Sequence, residues 1–148
     1  LSPDVAQQTS QRFVKVSYNP SPMSALEAAE RVQELFEGSG IDATCVRKIT
    51  RQLKNVLQEL GREAFTFALR ECVIKPMEAR IDDLEHMPET MELVPKLKES
   101  AELSLPEVAQ RSDKVERLLA LIRDEGSNRG IIFVEEVALA VPLARLLN

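Results

Sequence analysis

The sequence has little of what catalytic and metal-binding sites are usually built from. It contains one histidine, two cysteines, one tyrosine and no tryptophan in 148 residues. One histidine cannot form the paired-histidine zinc site of metalloproteases, and none of the five glycines belongs to a G-x-x-x-x-G-K-[ST] phosphate-binding loop. Because the motifs assemble no nucleophile, base and oxyanion site, we expect no catalytic residue, no metal and no cofactor in this chain.

Long apolar runs are also lacking. None approaches the roughly 18 residues that a membrane-spanning helix needs, and no signal peptide opens the sequence. Cys45 and Cys72 lie far apart, each within a helical pattern. We interpret them as buried free thiols in a reducing compartment, with a disulfide or a metal pair as the alternative. The expected location is the cytoplasm or the nucleus, with no membrane contact.

The acidic balance restricts nucleic-acid binding to a local surface. A formal net charge of -5 at pH 7 argues against a protein that coats nucleic acid over its whole surface. Arg47, Arg51 and Lys54 nevertheless share one side of a predicted helix, a stripe about 10 Å long that reaches two or three phosphates. The stripe is a candidate RNA contact. The alternative is an ordinary polar helix face that glutamates of a neighbouring helix neutralise.

The spacing of apolar residues predicts a mainly α-helical bundle of about five helices. Ser24 and Glu27 form a capping box at the start of the first helix. A second helix covers about residues 44–60, with a leucine-rich apolar stripe. A third covers roughly residues 62–86 and is apolar on more than one side, which indicates burial between neighbours or a face reserved for a partner. We expect Pro76 to kink or split it.

The rest of the pattern adds further helices and two short strands. Residues 87–111 contain three prolines and are interpreted as one short helix and a loop. Helices begin near Asp113 and near Val137. "RFVKVSY" alternates apolar and polar residues, and "GIIFVE" is a continuous apolar run. We therefore predict one or two short β-strands, at 12–18 and 130–135.

Two acidic groups invite a catalytic interpretation. "DDLEH" at 82–86 differs in order from the Asp-Glu-x-His motif of helicases and lies on a charged helical stretch, so we interpret it as a solvated face. His86 is then a surface or partly packed imidazole rather than a general base. Glu135 and Glu136 are either polar site residues at the carboxyl edge of a sheet or acidic residues of a first helical turn.

The last third of the sequence, "SDKVERLLALIRDEGSNRGIIFVEEVALAVPLARLL", resembles the start of the second RecA-like domain in Dicer-type and RIG-I-like superfamily 2 helicases. In that family a K-V-x-x-L-L-x-x-L helix precedes a G-I-I-F-V-E strand, motif IV. "TSQRFVKVSYNPSP" looks like the Dicer segment that leaves the first helicase domain. The middle is similar to the Dicer helicase insert, with its Leu-Gly turn at Leu60-Gly61 and its Arg-Glu pair at Arg70-Glu71. Pro76 and Pro142 depart from the family, whose corresponding helices are unbroken.

This resemblance implies a division of the chain and a function. Residues 1–21 would be an extended segment, 22–111 the helical insert, and 112–148 the start of the second RecA-like domain. The chain itself would not be an enzyme. It would belong to a multidomain ribonuclease III whose helicase region uses ATP and magnesium in small-RNA biogenesis. The insert would dock a double-stranded-RNA-binding partner protein and help to clamp double-stranded RNA.

The third helix is where we place the partner contact. Its surplus apolar positions Phe67, Ile74 and Ile81, beside Arg70 and Lys75, form a partner face or belong to the core. Two other interpretations stay open, an insert of a RIG-I-like helicase that contacts double-stranded RNA and a stand-alone helical adaptor.

Overall fold

The computed structural model describes residues 15–37, 42–79, 88–101, 108–126 and 130–148. The described part is mainly α-helical, as the sequence predicts. The helices, with α3 given as its three consecutive segments, are α1 Ala25–Leu35, α2 Ala43–Leu60, α3 Arg62–Ala68, Leu69–Ile74 and Lys75–Glu78, α4 Pro88–Ala101, α5 Asp113–Glu125 and α6 Val137–Leu147.

Side-chain caps begin three of these helices. The predicted capping box of α1 is confirmed: the Glu27 backbone N–H donates to Ser24 Oγ at 3.1 Å, and the Ser24 N–H donates to Glu27 Oε2 at 3.0 Å. Asp42 accepts from two backbone N–H groups at the start of α2. Ser112 Oγ accepts from the Val115 N–H at the start of α5. These caps satisfy backbone donors that would otherwise lack partners.

Helix α3 is irregular just before Pro76, where we expect a kink or a split, but it is not split there. The helix widens into a π-helical turn over Leu69–Ile74 and returns to α-helix at Lys75. Proline lacks the N–H that would bond four residues back, and its ring clashes with that carbonyl. A π-turn just before the proline accommodates both defects without ending the helix.

Helix α2 lies at the centre of the bundle. It packs against α1, α3, α5 and α6, while α4 packs on the π-turn of α3 and on α1. Leucine and valine dominate the interior, in keeping with the low aromatic content. The most deeply buried large side chains include Val32, Val56, Leu57, Leu69, Leu97, Val115 and Pro142.

Residues 112–148 share this core with the helices of residues 22–111, which we call the helical middle. Val115 of α5 and Leu143 and Leu146 of α6 belong to the same buried cluster as Leu57 of α2. Helix α6 packs on both α2 and α3. Apolar packing therefore continues across the boundary that the resemblance implies at residue 112.

No strand forms in the described part of the chain, so the two predicted strands are not confirmed. Residues 15–20 and 130–134 have no regular secondary structure, and residues 12–14 lie outside the described ranges. A strand gains its ladder hydrogen bonds only from a neighbouring strand, and none of the described segments supplies one. The alternating apolar pattern at 15–18 and the continuous one at 130–134 therefore belong to irregular segments on the surface.

The prediction that both cysteines are buried is wrong. Cys45 and Cys72 are free and exposed. Cys45 falls on the apolar stripe of α2 but in its first turn, and Cys72 lies on the outer side of the π-turn. Desolvation by its neighbours, followed by the negative charge of Glu71, raises the pKa of the Cys72 thiol, which keeps it protonated and weakly nucleophilic.

Candidate functional site

The two ends of the helical middle meet at the start of α5. The backbone N–H of Asn19 donates to Asp113 Oδ2 at 2.6 Å, a contact between residues 94 positions apart. Beside it, the Lys114 ammonium lies 5.4 Å from the centre of the Tyr18 ring and 2.7 Å from Glu59 Oε2. The hydrogen bond to Glu59 raises the pKa of Lys114. The chain therefore enters and leaves residues 22–111 at one place.

Backbone hydrogen bonds join the turn between α2 and α3 to the segment that leads into α5. The N–H groups of Arg62 and Glu63 donate to the carbonyls of Ala109 and Gln110, at 3.1 and 3.0 Å. These bonds satisfy donors at the start of α3, where no side chain caps the helix. Gly61, with φ of 102°, allows the close approach.

A groove of about 460 Å³ separates α2 and α5 from the segment that precedes α6. Apolar side chains that include Leu60, Leu118 and Ile132 line it. At its rim, Asn55 Nδ2 donates to both carboxylate oxygens of Glu136, at 2.8 and 2.7 Å. This contact attaches the motif IV-like segment to α2.

The start of α6 at Val137 bears on the two interpretations of Glu135 and Glu136. Glu136 occupies the position just before α6, and Glu135 is exposed in the bend that precedes it. Neither residue lies at the edge of a sheet, because no sheet is present in the described residues. Their position before a helix is closer to the second interpretation, although both lie outside the first turn itself.

The predicted partner face is split between core and surface. Phe67 is half-buried, with the Arg145 guanidinium 6.0 Å from its ring centre. Arg70 and Lys75 are exposed, and Lys75 forms an i,i+4 ion pair with Glu71 at 2.7 Å. The structure thus brings an aromatic side chain and two cations to one helix, α3. Ile81 lies outside the described residues.

The structure corrects the predicted place of Ile74 on the partner face. It is only 3% exposed and belongs to the core, not to an open apolar surface. The π-turn ends at this residue, and α4 packs on the turn. One edge of Ile74 still lines a shallow groove of about 330 Å³ between α3 and α4, whose rim is charged by Arg70, Glu71, Lys75, Glu78 and Lys98.

The basic stripe of α2 lies on the surface as predicted. Arg47 and Arg51 are exposed, and Lys54 is half-exposed. Arg47 donates to Thr44 Oγ1 at 3.3 Å. Within the described residues, no carboxylate forms an ion pair with any of the three, so the glutamates of α1 do not neutralise the stripe by direct contact.

The described residues form neither a metal-site cluster nor a membrane-spanning helix. Among the described residues, no three or more histidine, cysteine, aspartate or glutamate side chains gather as a metal site would require. No helix within those residues combines the length and the apolar character that crossing a bilayer requires. His86 and the acidic stretch 82–86 lie outside the described ranges.

Sequence reasoning missed the contacts that join distant parts of the chain. The pairs Asn19–Asp113 and Asn55–Glu136 have no local signature, since a single asparagine or aspartate indicates a turn or cap as readily as a long-range contact. Comparison with known proteins adds no relative: no family model, curated protein or solved structure matches the chain.

Proposed function

We propose that this chain is the helical insert of a Dicer-type helicase, with flanking parts of the helicase domain, and that it docks a double-stranded-RNA-binding partner protein. The observation that carries the proposal is the meeting of Asn19 and Asp113 at 2.6 Å. An inserted domain must leave and re-enter its host at neighbouring points, because otherwise it would break the host's packing. Residues 22–111 satisfy that condition.

The docking surface in this proposal is the outer side of α3. It offers a half-buried aromatic ring, Phe67, and, farther along the same helix, the exposed cations Arg70 and Lys75. Aromatic and arginine side chains are enriched where protein interfaces hold most of their binding energy. The shallow charged groove between α3 and α4, which Ile74 lines in part, could bind one side chain of the partner.

The parent protein in this proposal is a multidomain ribonuclease III of small-RNA biogenesis in the cytoplasm or the nucleus. ATP and magnesium would act in its helicase region, outside this chain, which would bind and not catalyse. The sequence of the parent transcript separates this proposal from a stand-alone adaptor. A phosphate-loop motif and a DExH motif upstream support the insert, and an open reading frame without them supports the adaptor.

The proposal is tested by calorimetric titration of this chain with the protein-contacting domain of a candidate double-stranded-RNA-binding partner. We expect saturable binding that Arg70→Glu and Lys75→Glu each weaken by about fivefold, the effect of one rim charge worth about 1 kcal/mol. Arg51→Glu on α2 is the matched control, since it makes the same charge reversal on another helix. Binding that all three variants leave unchanged contradicts the docking surface.

A second candidate function, direct contact with double-stranded RNA, is supported by the basic stripe Arg47, Arg51 and Lys54, which lacks ion pairs among the described residues. This function fits the insert of a RIG-I-like helicase as well. Three phosphate contacts give a log-log salt dependence of roughly -2 to -3, and Arg51→Glu should reduce the slope by about 1. An affinity that does not respond to salt excludes this function.

A further inference from the structure

Residues 15–20, which we call the strap, lie on the bundle without packing into it. All six residues are exposed, and the strap has no regular secondary structure. Two polar contacts join it to the start of α5: the Asn19 backbone N–H donates to Asp113 Oδ2 at 2.6 Å, and the Tyr18 ring centre lies 5.4 Å from the Lys114 ammonium. Because none of its apolar side chains is buried, few apolar contacts are lost when the strap detaches.

A space of about 210 Å³ lies between this end of the chain and the bundle. Its lining includes Asn19, Pro20 and Pro22 from the entering segment and Leu57 and Val108 from the bundle. None of residues 15–22 belongs to the buried apolar core. The strap therefore spans this space instead of filling it, and its detachment leaves no cavity in the core.

Met23 fixes the chain at the end of this segment. Its side chain is 5% exposed and belongs to the core, and the Gln58 side-chain amide lies 3.5 Å from its carbonyl oxygen. Between the strap and Met23, Pro20 and Pro22 restrict the backbone, because the proline ring fixes φ. The segment is therefore stiff, and Met23 is the point about which it moves.

The returning segment, residues 108–112, is attached more firmly than the strap. Val108 is buried in the core. The Ser112 N–H donates to the Leu60 carbonyl at 3.0 Å, and Ser112 Oγ donates to the Glu59 carbonyl at 2.6 Å. Two further carbonyls of this segment accept from the start of α3. We propose that the strap opens and closes on the start of α5 as a local unit, while residues 108–112 and the helices stay in place.

The strap is a conformational switch at the place where the chain enters and leaves the helical middle. When it is closed, it holds these two ends together through Asp113. When it is open, it separates them and opens the space beneath it to solvent. The inference concerns how this meeting point moves, and the identity of the parent protein does not enter it. Its test uses the chain alone, so its failure is distinct from a failure to bind a partner.

Amide hydrogen exchange of the 148-residue chain, measured by NMR at rising urea concentrations below the unfolding transition, tests the proposal. We expect the Asn19 amide to be protected about 10- to 100-fold, the effect of one hydrogen bond to a charged group. Its exchange rate should not depend on urea, because opening of the strap exposes little surface. The Ser112 amide should exchange more slowly, at a rate that rises with urea.

Two variants test which contact closes the strap. Asp113→Ala should lower the protection of the Asn19 amide by about tenfold or more. Glu116→Ala is the matched control, since it removes the other carboxylate from the first turn of α5, and it should leave this protection unchanged. Circular dichroism verifies that both variants retain their helices.

Three results overturn the proposal. An unprotected Asn19 amide in the unaltered chain means that the strap does not close. An Asn19 amide whose exchange rises with urea as steeply as that of Ser112 means that the strap unfolds only with the bundle. Protection that Asp113→Ala leaves unchanged, or that Glu116→Ala lowers equally, means that the Asp113 contact does not hold the strap.

Discussion

The side-chain amide of Asn55 lies against the carboxylate of Glu136, with Nδ2 at 2.8 Å from Oε1 and 2.7 Å from Oε2. The two residues are 81 positions apart, one in the middle of α2 and the other just before α6. Through this pair the motif IV-like segment is held against the helical middle.

Removing this contact should destabilise the chain measurably. Because both groups are part-buried and one is charged, a double-mutant cycle with Asn55→Ala and Glu136→Ala should give a coupling of about 1 to 2 kcal/mol in urea unfolding. Gln58→Ala is the control, since its amide reaches the Met23 carbonyl only at 3.5 Å. A coupling indistinguishable from zero would mean that the pair does not hold the segment in solution.

Gly61 should tolerate no side chain. A Cβ there would lie 2.8 Å from the Gln110 carbonyl oxygen and 2.9 Å from that of Ala109, and φ is 102°. We expect Gly61→Ala to lower the free energy of unfolding by about 2 kcal/mol or more, as strain adds to the steric clash. Gly126→Ala, at φ of 62° with no atom within 4 Å, should lower it by about 1 kcal/mol. Equal losses in thermal unfolding would contradict the close packing at this turn.

The burial of Ile74 predicts a loss of stability when it is truncated. Ile74→Ala should reduce the free energy of unfolding by about 2–5 kcal/mol, because it leaves a cavity beside α4. Leu26→Ala, at an exposed site, should change it by less than about 0.5 kcal/mol. Chemical denaturation of both variants separates core from surface. A neutral Ile74→Ala would return this residue to the partner face.

The capping box of α1 predicts a dependence on acidic pH. The Ser24 backbone N–H, and then the Ser24 side chain, lower the pKa of Glu27 below its usual value of 4.5. This stabilisation is therefore complete above pH 4.5 and is lost as the pH falls through the lower folded-state pKa. Ser24→Ala loses the side-chain bond but keeps the backbone N–H, so titration by NMR should show the Glu27 pKa rising only part of the way toward 4.5 in Ser24→Ala and not at all in Ser21→Ala. An unchanged pKa in Ser24→Ala would exclude the Ser24 side chain as a cause.

Features that depend on a few neighbouring residues were predictable from the sequence. The cap of α1, the end of α2 at Gly61 and the distortion near Pro76 all follow from local geometry. The exposure of Cys45 and the burial of Ile74 were not predictable. Periodicity identifies the apolar side of a helix but does not show how far a neighbouring helix extends along it. The lack of a strand at 130–134 was not predictable for a related reason, since a strand needs a partner strand that the local sequence does not reveal.

The most direct test of the proposed docking function is NMR mapping on the ¹⁵N-labelled chain with the protein-contacting domain of a double-stranded-RNA-binding protein. We expect saturable amide shifts concentrated on the outer side of α3, around Arg70, Cys72 and Lys75, with α1 little affected. Spectra that do not change on addition of the partner domain, or changes confined to α1, would contradict it.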